Sequence, residues 1–248
     1  MIHFVGAGPG AVDLITLRGA KLLSQATLCV YAGSLVNPEL LQLCPKDCRC
    51  VDSAPLTLEE THQVMVEEVK KGGFVVRLHT GDPSIYGAIA EQMDLLDAEG
   101  VSYDVVPGVS SFQAAAATLK AELTLPEVSQ TVILTRAAGR TPVPEAENLS
   151  SLAQHKTTLC LFLSSALAQT VKAELLEGGY DPQTPVAVVY RASWPDERLL
   201  HTTLEALPEA MEEAGVRSQA QILVGAFLRR QGTRSKLYDG GFQHACRR

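Results

Sequence analysis

Three segments bearing glycine and proline carry the chemistry most readily read from this chain: Gly6-Ala7-Gly8-Pro9-Gly10, Thr80-Gly81-Asp82-Pro83 and Pro107-Gly108-Val109-Ser110-Ser111. Each follows a short β-branched run. Each combines glycine, which lets a ligand approach bare backbone, with proline, which pre-orders the turn. Ligands of open α/β sheets bind beyond the carboxyl ends of the strands, so three such turns predict a composite pocket. Asp82 can accept hydrogen bonds from a ligand there, or bond its own turn as Asp often does; its Gly/Pro setting favours the first role. The first turn also fits the dinucleotide fingerprint through Gly6, Gly8 and Ala11. That fingerprint needs an acidic residue closing the second strand to hold a ribose. Here the strand ends Val30-Tyr31-Ala32-Gly33-Ser34, and Pro9-Gly10-Ala11-Val12-Asp13-Leu14 delays the helix, so a nicotinamide or flavin dinucleotide is disfavoured.

Other chemistries leave weaker traces. No Ser/His/Asp arrangement stands out and no general base is nominated; Tyr86 and His79 are candidates for an assisting role but read first as structural. Cys44, Cys48 and Cys50 form a C-x3-C-x-C cluster. It lacks the paired C-x2-C spacing and a nearby fourth ligand of a closed zinc site, so no metal is assigned. Free thiols are expected for all six cysteines in a chain without an export signal.

The elements that position the turns alternate. Residues 2–5, 28–31, 74–79 and 103–106 read as strands, and 18–25, 58–71, 85–98 and 111–119 as helices. Thr57-Leu58-Glu59-Glu60 has the spacing of a capping box. Such alternation predicts a mostly parallel sheet with helices on its faces. After the linker candidate 120–130, strands near 131–135, 158–163, 186–190, 199–203 and 221–227 enclose helices near 165–177 and 204–214. The strands at 186 and 199 follow one another directly, which predicts antiparallel pairing. The chain therefore reads as two α/β domains, 1–119 with a mostly parallel sheet and 131–228 with a mixed one, followed by a tail, 229–248.

Composition bounds the function. The 248 residues are 46% hydrophobic and 20% charged, ample for two cores and unlike a disordered chain. With 21 Lys and Arg against 28 Asp and Glu, the net charge is −7, which argues against a nucleic-acid partner. The charge is uneven: Arg229, Arg230, Arg234, Lys236, Arg247 and Arg248 face only Asp239 in the tail. No apolar run suits a membrane span. The first residues lack a leader pattern, and a cytoplasmic location is expected.

The motifs resemble a known family. Val5 to Gly10 with Leu14-Ile15-Thr16-Leu17-Arg18-Gly19 looks like the first signature of the tetrapyrrole C-methyltransferases, and Val75 to Gly87 with Val106-Pro107-Gly108 resembles the second. Tyr31 to Val36, Leu134 to Glu145, Tyr190-Arg191-Ala192-Ser193-Trp194-Pro195-Asp196-Glu197 and Ser235 to Asp239 are similar to the branch acting at C-11 of precorrin-4 in cobalamin synthesis. The resemblance spans essentially the whole chain. It implies two α/β domains with a cleft between them, a homodimer, a tetrapyrrole substrate and S-adenosyl-L-methionine as methyl donor.

Carried over by position, the resemblance implies a donor pocket that includes Pro9, Thr80, Gly81, Asp82, Ile85, Ser110, Ser111, Leu163, Ala192 and Ala220. The implied substrate is a polycarboxylate. Arg77, Arg136, Arg140, Arg191 and Lys120 lie in or beside the motifs; Arg136 and Arg140 are the preferred anchors, because the planar guanidinium binds carboxylates bidentately. A surface ion pair is the plain alternative for each. Trp194 has three open roles: cleft wall, interface or core. Rival readings are a uroporphyrinogen-III methyltransferase, a diphthine synthase, a ribosomal-RNA 2′-O-methyltransferase, and a non-catalytic module that binds S-adenosylmethionine.

Overall fold

The computed structural model describes residues 1–33, 35–229, 231–233, 235 and 241. Contacts divide the chain into two units, Met1–Ala114 with Arg191–Asp196, and Ala115–Tyr190 with Glu197–Arg248.

The first unit holds strands β1 (Ile2–Gly6), β2 (Leu28–Tyr31), β3 (Arg49–Asp52), β4 (Val75–His79) and β5 (Tyr103–Val106). They form one sheet in the order β3-β2-β4-β1-β5, and every pairing is parallel. Both faces of such a sheet are covered, so its central strands are buried on both sides, the polar His3, Arg77 and His79 included. Accordingly all five residues of β1 and all five of β4 are buried. Ile2, Phe4, Leu28, Val30 and Val75 pack with Met65 and Val66 of helix α2 (Leu58–Lys70) and Leu96 of α3 (Ala90–Ala98). Val5, Cys29, Val76 and Leu78 form a second cluster with Leu23 of α1 (Leu17–Leu23). The capping box at Thr57 is formed: its hydroxyl accepts from the Glu60 amide at 3.2 Å while Glu60 accepts from the Thr57 amide at 2.8 Å.

The structure departs from the sequence pattern in three places. Strand β3 is an edge strand with mostly exposed residues, so no apolar pattern marks it. Helix α3 begins at Ala90 rather than 85, because Tyr86 and Ala88 adopt φ of 54° and 48°, outside any right-handed helix. A five-residue helix, α5 (Leu149–Ala153), follows α4 (Ser111–Thr118) in the chain; Asn148 caps it by accepting from the Ser151 amide at 2.7 Å.

The second unit contains β6 (Val132–Arg136), β7 (Thr158–Phe162), β8 (Pro185–Tyr190), β9 (Arg198–Thr203) and β10 (Ala220–Val224) in the order β6-β7-β10-β8-β9. Only β6 and β7 are parallel; β10 runs against β7 and β8, and β8 against β9, so this sheet is mixed. Helices α6 (Ala168–Glu177) and α7 (Leu207–Glu213) contribute Val171, Leu175, Leu207 and Met211 to a core with Leu159, Leu161, Val186, Val188, Ile222 and Val224.

The contact division falls after Ala114, ahead of the linker expected at 120–130, and it returns Arg191–Asp196 to the first unit. Most of the basic tail, with Cys246, lies outside the described residues. Among those described, no helix is long and apolar enough to cross a membrane.

Thr57→Ala removes one side of the capping box and leaves a helix-end amide unpaired. It should lower stability by about 1 kcal/mol, read as a lower urea midpoint with an unchanged slope.

Candidate functional site

Strand order brings the glycine turns together. β4, β1 and β5 are neighbours and all parallel, so the turns leaving their carboxyl ends stand side by side. They are tied through backbone: the Gly8 amide donates to the Gly81 carbonyl at 3.2 Å, and the Gly81 amide to the Gly8 carbonyl at 2.9 Å. A Cβ at Gly6 would lie 2.5 Å from the Gly108 Cα and 2.6 Å from the Gly81 oxygen; one at Gly108 would lie 2.1 Å from that same oxygen. Only glycine permits this approach.

Asp82 locks the cluster. One carboxylate oxygen accepts from the Gly108 amide at 2.8 Å; the other accepts from the Ser84 amide at 2.8 Å and from the Ser84 hydroxyl. Partial burial opposes ionisation, but the three hydrogen bonds outweigh it and hold the carboxyl below its ordinary value. Asp82 thus bonds its own turn and a neighbouring one, the alternative that its sequence setting ranked second.

Two further side chains hold the first turn, and local pattern marks neither. The buried Asn37 amide donates to the Gly10 carbonyl at 2.9 Å, and the Ser193 hydroxyl accepts from the Ala11 amide at 3.0 Å. Trp194 lies against Gly10: its indole Nε1 donates to the Pro9 carbonyl at 3.0 Å, and a Cβ on Gly10 would fall 2.1 Å from its ring. These bonds explain why 191–196 belongs with the first unit, and they make Trp194 a wall of the glycine turn.

The remaining expected donor residues divide by unit. Pro9, Thr80, Gly81, Ile85, Ser110, Ser111 and Ala192 belong to the first; Leu163 and Ala220 belong to the second. The Thr80 hydroxyl oxygen is buried without a partner among the described residues, as is His79 Nε2. Burial, aided by the charge of Arg77, pushes His79 down to about 3, so its imidazole is neutral near pH 7 and cannot serve as an acid. Leu163, just past the end of β7, is 67% exposed at a φ of 50°. Left-handed backbone at a branched apolar residue is strained, and strain of this kind gathers at ligand sites. In the first unit, glycine-turn backbone that no side chain covers and the unpartnered Thr80 hydroxyl together offer a small ligand close approach and a polar contact.

The cations differ in availability. Arg77 is buried beside α3, donating to Gln92 Oε1 at 3.1 Å and the Val30 carbonyl at 3.3 Å, so it is a core residue rather than a substrate anchor. Arg136 spends its guanidinium on the Thr141 and Pro142 carbonyls at 3.0 and 2.7 Å, strapping the loop after β6. Arg191 pairs with Asp196 at 2.8 Å and stacks 4.0 Å above the Trp194 ring. Lys120 and Arg140 are exposed. Arg140, at the tip of the loop that Arg136 straps, has the geometry of a presented cation.

Gly10→Ala must displace Trp194. Because this is the sole tryptophan, its emission should shift and stability should fall by about 1–3 kcal/mol; unchanged fluorescence would refute the packing. Asp82 also carries a pH signature. Its depressed folded pKa means its contribution is present above about pH 4, the unfolded value, and lost as pH falls through the folded one. Acid titration of stability should show this component in the native protein and lose it in Asp82→Asn.

Comparison with known proteins agrees with this geometry. The profile of the Tetrapyrrole (Corrin/Porphyrin) Methylases matches residues 1–208. The chain is 51% identical to the cobalt-precorrin-4 C(11)-methyltransferase of Methanocaldococcus jannaschii, over 100% of this chain and 96% of that one. Among solved structures, a cobalt precorrin-4 methyltransferase of cobalamin biosynthesis superposes with a TM-score of 0.90 at 51% identity, covering 92% of this chain and 95% of that one. The uroporphyrin-III C-methyl transferase of Thermus thermophilus, complexed with S-adenyl homocysteine, gives a TM-score of 0.78 at 30% identity, covering 92% and 99%. The chain belongs to the tetrapyrrole (corrin/porphyrin) methylase family.

Proposed function

We propose that this protein transfers a methyl group from S-adenosyl-L-methionine to C-11 of precorrin-4, or of its cobalt chelate, in cobalamin synthesis. The observation that carries the reading is the full-length, 51% identical likeness to a cobalt-precorrin-4 C(11)-methyltransferase, combined with an intact glycine-turn cradle. The donor's sulfonium supplies the activation, so an electron-rich ring carbon can attack in line without a protein nucleophile. The chain's residues therefore act by placement. Gly8, Gly81 and Gly108 keep the turn backbone bare, Asp82 fixes the turns to one another, and Asn37, Ser193 and Trp194 stop the first turn from moving. The Thr80 hydroxyl orients the donor above the bare glycine turns, and Ile85, Ser110, Ser111 and Ala192 of the same unit complete its seat. Holding carbon and methyl in a near-attack geometry can lower the barrier by about 7–11 kcal/mol.

Arg140 anchors a ring carboxylate and Lys120 assists. Arg136 supports Arg140 by ordering the loop that carries it, whereas Arg191, bonded to Asp196, orders the 191–196 segment. In this reading the protein works in the cytoplasm as a homodimer.

Incubation with labelled S-adenosylmethionine and precorrin-4, with and without cobalt, should transfer one methyl per ring to C-11. Donor binding without product on either substrate would overturn the enzymatic reading. Asp82→Ala should weaken S-adenosylhomocysteine binding by about tenfold or more, roughly 1.4 kcal/mol, because the turns lose their clamp; calorimetry giving native affinity would refute that role. Arg140→Ala should raise the KM for the tetrapyrrole and leave donor affinity unchanged. Sedimentation at the monomer mass would exclude the dimer.

A further inference from the structure

Away from the glycine turns, three cysteines of the first unit come together and a fourth lies in the neighbouring strand. Cys29 of β2 and Cys50 of β3 are register partners in a parallel pair, so their side chains leave the same face of the sheet. That face is the one carrying Val5, Val76 and Leu78, and Cys44 and Cys48 pack against it from the segment leading into β3. The sulfur atoms of Cys44, Cys48 and Cys50 all lie within 4.8 Å of one another, and the buried Cys29 packs in the same cluster as Cys44 and Cys48 without joining that set. Backbone bonds hold the loop in this shape: the Cys44 amide donates to the Leu41 carbonyl at 3.1 Å and the Cys48 amide to the Pro45 carbonyl at 3.0 Å. The burial is graded. Cys29 is fully buried, Cys44 and Cys48 are half-buried, and Cys50 is exposed on the edge strand, so an ion can enter from solvent. The C-x3-C-x-C spacing by itself lacks a fourth ligand, and the β2–β3 register supplies one from a distant part of the chain.

We infer that Cys29, Cys44, Cys48 and Cys50 form a closed tetrahedral site for a single thiophilic divalent cation, of which zinc is the probe. Zinc–sulfur bonds of about 2.3 Å place the sulfurs of a tetrahedron somewhat under 4 Å apart; Cys44, Cys48 and Cys50 reach this by a small contraction, and Cys29, outside their 4.8 Å set, closes the site by a side-chain rotation. On binding, four S–H bonds break and four metal–sulfur bonds form, with the protons passing to buffer; no oxidant or reductant is involved. The neighbouring Lys46 and Arg49 offset part of the charge of the resulting tetrathiolate. The site pins edge strand β3, whose side chains contribute little apolar burial, to the sheet.

The test uses the full chain, reduced and stripped of metal, titrated with zinc alone against a chromophoric chelator. One equivalent should bind, raise the thermal midpoint, and, when cadmium replaces zinc, give sulfur-to-metal charge-transfer absorption in the ultraviolet. Cys44→Ser and Cys50→Ser should each lower zinc affinity by about a hundredfold or more and abolish the thermal gain. Cys50→Ser alters an exposed position, so its fold should survive. Cys160→Ala, in the other unit, should bind as the native chain does. Sub-stoichiometric zinc, native affinity in Cys44→Ser and Cys50→Ser, or visible absorption from an iron–sulfur cluster would each overturn the single-ion site. So would a disulfide among these cysteines whose reduction restores no zinc binding.

Discussion

The close approach of three turns at the carboxyl ends of β4, β1 and β5 is the constraint on which the rest depends. Gly8 and Gly81 bond each other backbone to backbone, and Gly6 and Gly108 approach the neighbouring turns at separations that a single methyl group would violate. A surface made this way has few side chains of its own, so a ligand can approach its backbone closely. It also cannot be held by side-chain packing from within. The holding groups come from outside the turns: Asp82 bridges two of them, and Asn37, Ser193 and Trp194 grip the first.

This arrangement explains why no conventional catalytic constellation is needed. A reaction whose donor already carries its leaving group asks the protein for distance and direction, and both depend on stiffness. The groups with the most perturbed protonation near the turns serve that end. His79 is neutral through burial, Arg77 is sealed beside α3, and the Asp82 carboxylate is stabilised by hydrogen bonds that also fix the loops. None is poised to move a proton.

Under the proposed function the acidic chain must also receive a substrate bearing several carboxylates, and a net charge of −7 repels such a molecule at a distance. The structure narrows the means of local attraction. Three of the arginines that neighbour the motifs are bonded within the protein, which leaves Arg140 at a loop tip as the presented guanidinium of that group. Arg136 then has a purpose of its own: it stiffens the loop that carries Arg140.

Much of this was legible in the sequence. The parallel first sheet, the mixed second sheet, the capping box at Thr57 and the position of the glycine turns follow from periodicity and turn chemistry, which act over a few residues. The family follows from motifs of the same local kind. What the tertiary structure alone decided is which groups are already engaged and which distant ones meet. Asp82 and Arg136 look like free ligand groups until their partners are seen, and Asn37 and Ser193 carry no local signal because the backbone they hold is 27 and 182 residues away. Edge strand β3 has no apolar pattern, yet its register against β2 sets Cys50 beside Cys29 and so brings a further thiol next to a cluster of three. Local pattern encodes how each segment bends. Only strand order and register determine what each segment touches.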